Sequence, residues 1–574
     1  MARTTPICNV SAGPAGGTDR MSPAPCLPPC ALRPAGAAAR TGRSLYRRAA
    51  RILPALLALA PLPAYAATPD LLAYLQARAA AGDNAPEFAA RRFADALAAT
   101  PDDATVATDA YREALVAGDL ALAARAADAL GPAAPADAAL LAVADAAARG
   151  DLAAADAAIA RLGDGRLAIF AAPLAAWAAF ARGTDPLPLL AAARDDAVAR
   201  RFATETRALI LIAQGHEAEG LATLRATLGF DQSGEDMRVA AARLLIGMGR
   251  VAAARGLLAG DAPPLVALRK RPGEGAKPGL AFGAATLFTR VASDLALGPP
   301  DPLPLALAQA AVHADPTNDR ARLLLAYTLA RAGVAARALD TLAAISPDSP
   351  YAAMARAGRI QVLSSTGRAD EALAEAEAAA TGSNAPDDAL QRFADLLMVA
   401  ERPHDAVPVY RKLIDRAGRD AGWSAWMQYG GALDEAGDWP RAHKALQRAV
   451  ALAPDEPAAL NYLGYAQIVH GEPVGPAAAL LERASRLRPD DAAITDSLGW
   501  AYHLAGRTGD ALPLLERAAA ASPESAEIGE HLGDAYWALG RRYEARYAWR
   551  AAQVVAEPAG IARLAAKIAD GPQR

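Results

Sequence analysis

Cysteine is almost missing from this chain of 574 residues, and what there is lies at one end, at Cys8, Cys26 and Cys30. Beyond residue 30 no disulfide and no thiolate metal site can form. Runs that alternate apolar and polar residues between turns, the mark of a strand, are missing as well. The seven histidines, at 216, 313, 404, 443, 470, 503 and 531, never fall three or four apart, and no His-Glu-x-x-His occurs. That removes a helix-borne zinc site. There is no Gly-x-Ser-x-Gly elbow. Gly273-Glu274-Gly275-Ala276-Lys277 runs into Pro278 and lacks phosphate-loop spacing. Acidic pairs such as Asp102-Asp103 and Asp490-Asp491 precede helical stretches, where capping accounts for them. Nothing calls for a catalytic residue, a cofactor or a metal, and the chain reads as a non-enzyme.

Long apolar runs are also scarce. Residues 43–66 read RSLYRRAARILPALLALAPLPAYA. Arg43, Arg47, Arg48 and Arg51 form a positive stretch, and the apolar core from Ile52 to Leu62 contains Pro54 and Pro61. It is too short to span a bilayer. With Ala64-Tyr65-Ala66 behind it, the layout is that of a secretory leader cut after Ala66. The expected address is the periplasm, with no membrane span in the mature chain and peripheral association with the outer membrane left open. Residues 1–42 are rich in Pro, Gly and Ala without periodicity, and Met21 offers a second start. Leu27-Pro28-Pro29-Cys30 lacks the preceding apolar segment and the small residues of a lipoprotein box.

Positive charge is concentrated where it would be lost. The leader holds eight arginines and one aspartate, so its removal takes the formal charge from −4 to −11. Phosphate contacts need clustered Lys and Arg, so nucleic acid is not an expected partner. Arg269, Lys270, Arg271 and Lys277 do cluster, within the Pro- and Gly-rich stretch 261–279, which reads as a flexible loop with a solvated tip.

What the chain has is a repeat. Gly430, Gly464, Gly499 and Gly533 fall 34, 35 and 34 residues apart. A second glycine follows each after seven residues, at Gly437, Gly471, Gly506 and Gly540. Alanines recur at Ala442, Ala477, Ala511 and Ala545, then at Ala449, Ala484, Ala518 and Ala552, and Pro454, Pro489 and Pro523 close the first three units. Within residues 492–525, Ile494, Leu498, Ala501, Tyr502 and Ala505 have helical spacing, as do Ala511, Leu512, Leu514, Leu515 and Ala518. Gly506 between them suits the left-handed end of a helix. Gly499, Ala511 and Ala518 leave room for two backbones to approach. One such hairpin cannot bury its apolar face alone, and stacked neighbours can.

The runs NYLGYAQIVHGEP, DSLGWAYHLAGRTGDALPLLERA and EHLGDAYWALGRRYEARYAWRAA resemble tetratricopeptide repeats. The resemblance implies an all-α solenoid of helical hairpins in a right-handed superhelix. It implies a protein-binding groove lined by the first helix of each hairpin. In register, the groove positions are Asn461, Tyr465, Asp496, Trp500, His503, Asp534 and Trp537. The Lys and Asn set with which related chaperone-binding repeats hold a terminal carboxylate is replaced by acidic and aromatic residues. Residues 280–555 also resemble bacterial envelope repeat proteins, distant relatives of a lipoprotein that presents substrates to a periplasmic processing protease.

Upstream, the turn glycine persists at Gly82, Gly118, Gly150, Gly183, Gly215 and Gly249, then at Gly298, Gly333 and Gly367. Arg402 stands where the next should be, and 49 residues separate Gly249 from Gly298. The expectation is about fourteen hairpins from near Thr68 to near Val555, with a capping helix over residues 559–568. The organisation reads as an extension and leader (1–66), diverged repeats (67–260), a basic loop (261–279), a repeat array (280–558) and a cap with tail (559–574). A scaffold or adaptor that presents substrates to, or organises, an envelope protease or assembly machine is the leading function. The alternative is a structural part of an export or polysaccharide-secretion apparatus. An unbroken repeat phase from Gly82 to Gly249 leaves no room for a hidden catalytic domain.

Overall fold

The computed structural model describes residues 70–572, apart from 164, 166, 192–195, 230, 300, 383 and 384. The leader and its cut after Ala66 lie outside the described residues. Within them there are thirty α-helices and no strand, an all-α solenoid of helical hairpins. In chain order the helices form fourteen hairpins, from Leu71–Gly82 with Pro86–Ala99 to Ala526–Ala538 with Arg542–Val555. Pro263–Lys270 stands outside the pairing, and Pro558–Asp570 follows the last hairpin.

The turns explain the glycine register. Gly118, Gly150, Gly183, Gly215, Gly249, Gly333, Gly367, Gly437, Gly471, Gly506 and Gly540 all have left-handed φ, from 67 to 88°. A β-carbon there would strain the backbone. Three expected positions differ. Helix Leu71–Gly82 runs through Gly82, and Asn84 makes the left-handed turn at φ 55°. Asparagine tolerates that region because its side chain is short and polar. Gly298 turns without a positive φ. At the gap, Glu401, one residue ahead of Arg402, holds φ 55° in glycine's place.

Residues 70–375 form one compact unit. Its hairpin of Leu280–Leu295 and Leu303–Ala314 does more than continue the stack. It lies against the first helices of the earlier hairpins. Phe288 meets Phe170 edge-on at 5.9 Å, and Phe282 meets Trp177 at 5.7 Å. Gly283 sits so close to the Trp177 ring that no β-carbon would fit. Further along, the buried Gln309 amide donates to the Leu115 carbonyl at 2.8 Å, and His313 pairs with Asp145 at 3.2 Å. Pro304 to Ala311 are all buried, as expected of a helix that is apolar on every side. The groove of the earliest repeats is therefore filled by the chain itself.

The 261–279 segment corrects the loop reading. Pro263 opens a helix to Lys270 that buries Leu265 and Leu268. Arg269 donates to the carbonyls of Leu258 and Gly260 at 2.8 and 3.2 Å, so it is no free loop tip. Beyond it, Ala276 is buried and its N–H donates to the Arg243 carbonyl at 2.8 Å. Pro at the first helical position and basic residues in the last turn favour a short helix that composition alone disguises.

Ala376 onward forms a second compact unit. Here the four in-register first-helix glycines, Gly430, Gly464, Gly499 and Gly533, each face a large side chain at the matching place on the second helix. A β-carbon at Gly499 would sit 2.9 Å from Leu515, and one at Gly430 would sit 2.8 Å from Leu446. Leu481 faces Gly464 in the same way, and Trp549 takes that place against Gly533. Ala511 and Ala518 are buried in this seam, whereas Ala505 lies beyond the helix end and is exposed. Pro558–Asp570 closes the last hairpin, burying Leu564 against Trp549.

Candidate protein-binding groove

The first helices Trp423–Glu435, Pro457–Val469, Ala492–Leu504 and Ala526–Ala538 place the candidate residues. Side-chain caps fix where several of them start: Asp491 accepts from the Ile494 N–H at 3.1 Å, and Ser525 from Ile528 at 3.4 Å. Their spacing then turns the same positions of successive hairpins to one side.

Four of the seven expected residues, Tyr465, Asp496, Trp500 and His503, meet through the rings of Trp500 and His531. The Trp500 indole lies between two imidazoles, stacked on His531 at 4.1 Å and on His503 at 5.0 Å. His531, buried, donates from Nδ1 to Asp496 Oδ2 at 2.8 Å. Tyr465 reaches along the groove, its ring 6.4 Å from His531 and its hydroxyl donating to Glu527. Asn461 Oδ1 and Asp496 Oδ1 are buried without a hydrogen-bond partner among the described residues. Trp500 and Tyr465 both keep part of their surface in solvent.

The electrostatics follow from burial and neighbours. Burial works against a charge on His531, but the Asp496 carboxylate, with Glu527 and Asp534 behind it, outweighs burial and holds its pKa above the ordinary histidine value. His503 moves the other way. Burial lowers its pKa, and the pull of Asp534 offsets only part of that. The Tyr465 phenol is pushed far up by burial and by the Glu527 carboxylate.

Asp534 and Trp537 belong to a second cluster, against the last helix. Asp534 accepts from Trp549 Nε1 at 3.0 Å and from Lys567 Nζ at 2.6 Å. Trp537 tilts onto Trp549 at 5.5 Å, under the guanidinium groups of Arg542 and Arg546. Beside them Arg563 and Lys567 grip Glu530 at 2.8 and 2.7 Å. These two expected groove residues therefore hold the cap in place.

Sequence reasoning passed over the histidines as scattered, and the structure pairs them. Two hairpins earlier, Trp439 stacks on His470 at 4.1 Å and on His443 at 5.1 Å. His470 donates to Asp434 at 2.5 Å, and the Trp439 indole N–H donates to Glu472 at 2.9 Å. The unit thus carries two histidine–tryptophan–histidine stacks, each tied to a buried aspartate. A signal for half of each stack was present: Trp439 and His443 lie four apart, and Trp500 and His503 three apart, on one helix face. The third ring comes from the next hairpin, 31 residues beyond the tryptophan in both stacks, a spacing that no single helix face reveals. No group of three or more His, Cys, Asp or Glu among the described residues is placed to hold a metal ion.

A solenoid of helical hairpins with left-handed glycine turns and glycine-floored seams defines a helical-repeat protein, a class that works through its surfaces. The family's models match over residues 423–468 and 476–526, so the chain carries tetratricopeptide repeats there. No curated protein matches it in sequence. Among solved structures, a thermophilic tetratricopeptide-repeat protein of Thermus thermophilus is similar at 21% identity, over 32% of this chain and 100% of that one, with a TM-score of 0.29. One from Parabacteroides merdae is 15% identical over 43% of this chain and 96% of that one, with a TM-score of 0.37. MamA of Desulfovibrio magneticus is 19% identical over 29% of this chain and 94% of that one, with a TM-score of 0.26.

Proposed function

We propose that the chain is a non-enzymatic adaptor of the bacterial cell envelope that grips a partner protein in the groove around Trp500. The repeats support a protein-interaction scaffold. The observation that carries the site is the convergence of Tyr465, Asp496, Trp500 and His503, drawn from two hairpins, on one partly exposed aromatic stack. Large aromatics with an exposed edge and polar neighbours are favoured interface anchors. The arginine-led leader motivates the envelope address. No helix among the described residues is long and apolar enough to cross a membrane. Presentation of substrates to an envelope protease or assembly machine is the role this reading gives the adaptor.

The test is a photo-crosslinking residue in place of Tyr465 in cells that express the full chain. An envelope protein should be captured there, and a matching probe at the exposed Tyr547 should not capture it. Equal capture at both positions would remove the groove from the reading. N-terminal sequencing of the exported protein should begin at Ala67. An intact leader on the protein recovered from the periplasm would remove the envelope address.

A further inference from the structure

Helix Arg542–Val555 is apolar on two faces. The inner one is spent within the chain: Ala545, Trp549 and Ala552 are buried in the last hairpin and under the helix that closes it. The outer one faces solvent. Tyr543, Tyr547 and Val554 are 73, 58 and 81% exposed, and the two tyrosine rings tilt together at 5.1 Å. This face belongs to a second helix, so it lies outside the groove that the first helices line. With Arg550 included, the outward residues Tyr543, Tyr547, Arg550 and Val554 follow one another after four, three and four positions. That is the alternating spacing with which one helix packs along another.

Charge selects the occupant. Glu544 accepts from Arg541 at 3.0 Å, Arg542 lies over the Trp537 ring, and Arg546 donates to the carbonyls of Ile568 and Ala569 at 2.7 and 3.3 Å. Arg550 is exposed and has no such partner among the described residues. A second copy of the same helix supplies one. Laid antiparallel, with a twofold axis midway between positions 547 and 550, the seam closes on itself. Arg550 of each copy meets the Tyr547 ring of the other, and Tyr543 meets Val554. A guanidinium over an exposed tyrosine face is attractive. At the flanks Glu544 falls opposite Ala551 and Arg546 opposite Gln553, so no like charges are opposed. A parallel pairing would set Arg550 against Arg550.

We propose that the outer face of Arg542–Val555 joins two copies of this chain in an antiparallel pair, with Tyr543, Tyr547, Arg550 and Val554 as the seam. Two heptads bury less than the roughly 1,200–2,000 Å² of a standard interface, so the pair is weak and depends on concentration.

The test is sedimentation equilibrium of the purified full chain from about 1 to about 500 µM, where a monomer–dimer equilibrium is expected. Tyr547→Arg sets guanidinium groups face to face across the axis and should weaken the dimer at least about tenfold, with an unchanged melting curve because the position is exposed. Arg550→Glu removes the cation from the tyrosine and should weaken it as well. Combining the two substitutions restores opposite charges across the axis and should recover the dimer. Trp500→Ala should leave it intact, so this face and the groove around Trp500 are tested apart. A monomer over the whole range overturns the proposal. So does a dimer that both single variants leave intact, or a folded combined variant that pairs no more tightly than Tyr547→Arg alone.

Discussion

Glu401 is the one turn residue in the described repeats that works against its own side chain. It holds φ 55° where eleven other turns place glycine. A left-handed backbone costs an L-residue roughly 1–2 kcal/mol, and glycine gives back part of the difference through its freer unfolded chain. Glu401→Gly should therefore stabilise the protein by up to about 1 kcal/mol. Its loss also removes one of the charges, after burial and Asp434, that raise the pKa of Glu435. A thermal melt decides it, and a lowered Tm would show that Glu401 makes a contact worth more than the strain. The two histidines on Trp500 set the response to pH. His531 has its folded pKa above the unfolded value of about 6.5, so its stabilisation is complete below that pH and is lost as pH rises through the folded value. His503 has its folded pKa below the unfolded value, so its contribution is present above about pH 6.5 and is lost as pH falls. Melting temperature plotted against pH should peak near about 6.5. Asp496→Asn should flatten the alkaline limb and leave the acid limb. A limb that survives in that variant would assign the titration to another group.

At the scale of the element, the hairpin of residues 280–314 separates what a repeat pattern reveals from what it hides. Gln309 reaches 194 residues back to the Leu115 carbonyl, closing this hairpin onto the earliest repeats. Gln309→Ala would leave that carbonyl with only the Gly118 N–H, at 3.2 Å, and should cost about 0.5–1.5 kcal/mol for the lost bond. Hydrogen exchange should quicken in Ala104–Ala117 as well as in the mutated helix. Quickening confined to Leu303–Ala314 would mean the two are not coupled. Helices and turns were legible because each glycine in register answers a local demand, either a left-handed turn such as Gly506 or a close seam such as Gly499. The docking of this hairpin was not legible, because nothing in its alanine-rich sequence names the helix it will meet. Pro263–Lys270 was missed for a nearer reason: prolines and glycines around it read as loop, whereas Pro263 starts the helix. Of the seven candidate positions, register put Tyr465, Asp496, Trp500 and His503 where they meet, and gave no sign of the cluster's chemistry. Register placed Trp500 and Asp496 on one face, but only the fold brings His531 onto Trp500 and turns Asp534 and Trp537 toward the cap.

For the whole molecule, the labour divides between its two compact units. In the unit of residues 70–375 the chain fills the first stretch of its own groove and leaves an apolar groove open further along. In the unit from Ala376 onward, two aromatic–imidazole stacks line the repeats that keep the family pattern best, and a helix held by Lys567 and Arg563 closes the end. The central claim is that the Trp500 stack is a partner's anchor and does more than pack. The most direct measurement is the affinity of the envelope protein captured at Tyr465 for the purified chain, for Tyr465→Phe and for Trp500→Ala, with melting curves beside each. Interface anchors are commonly worth about 2 kcal/mol or more, so Trp500→Ala should weaken binding by about thirtyfold or more while the second helices keep their melting transition. Tyr465→Phe, which removes only the hydroxyl that meets Glu527, should cost less. Unchanged affinity in both folded variants would contradict the account and place the partner elsewhere on the solenoid.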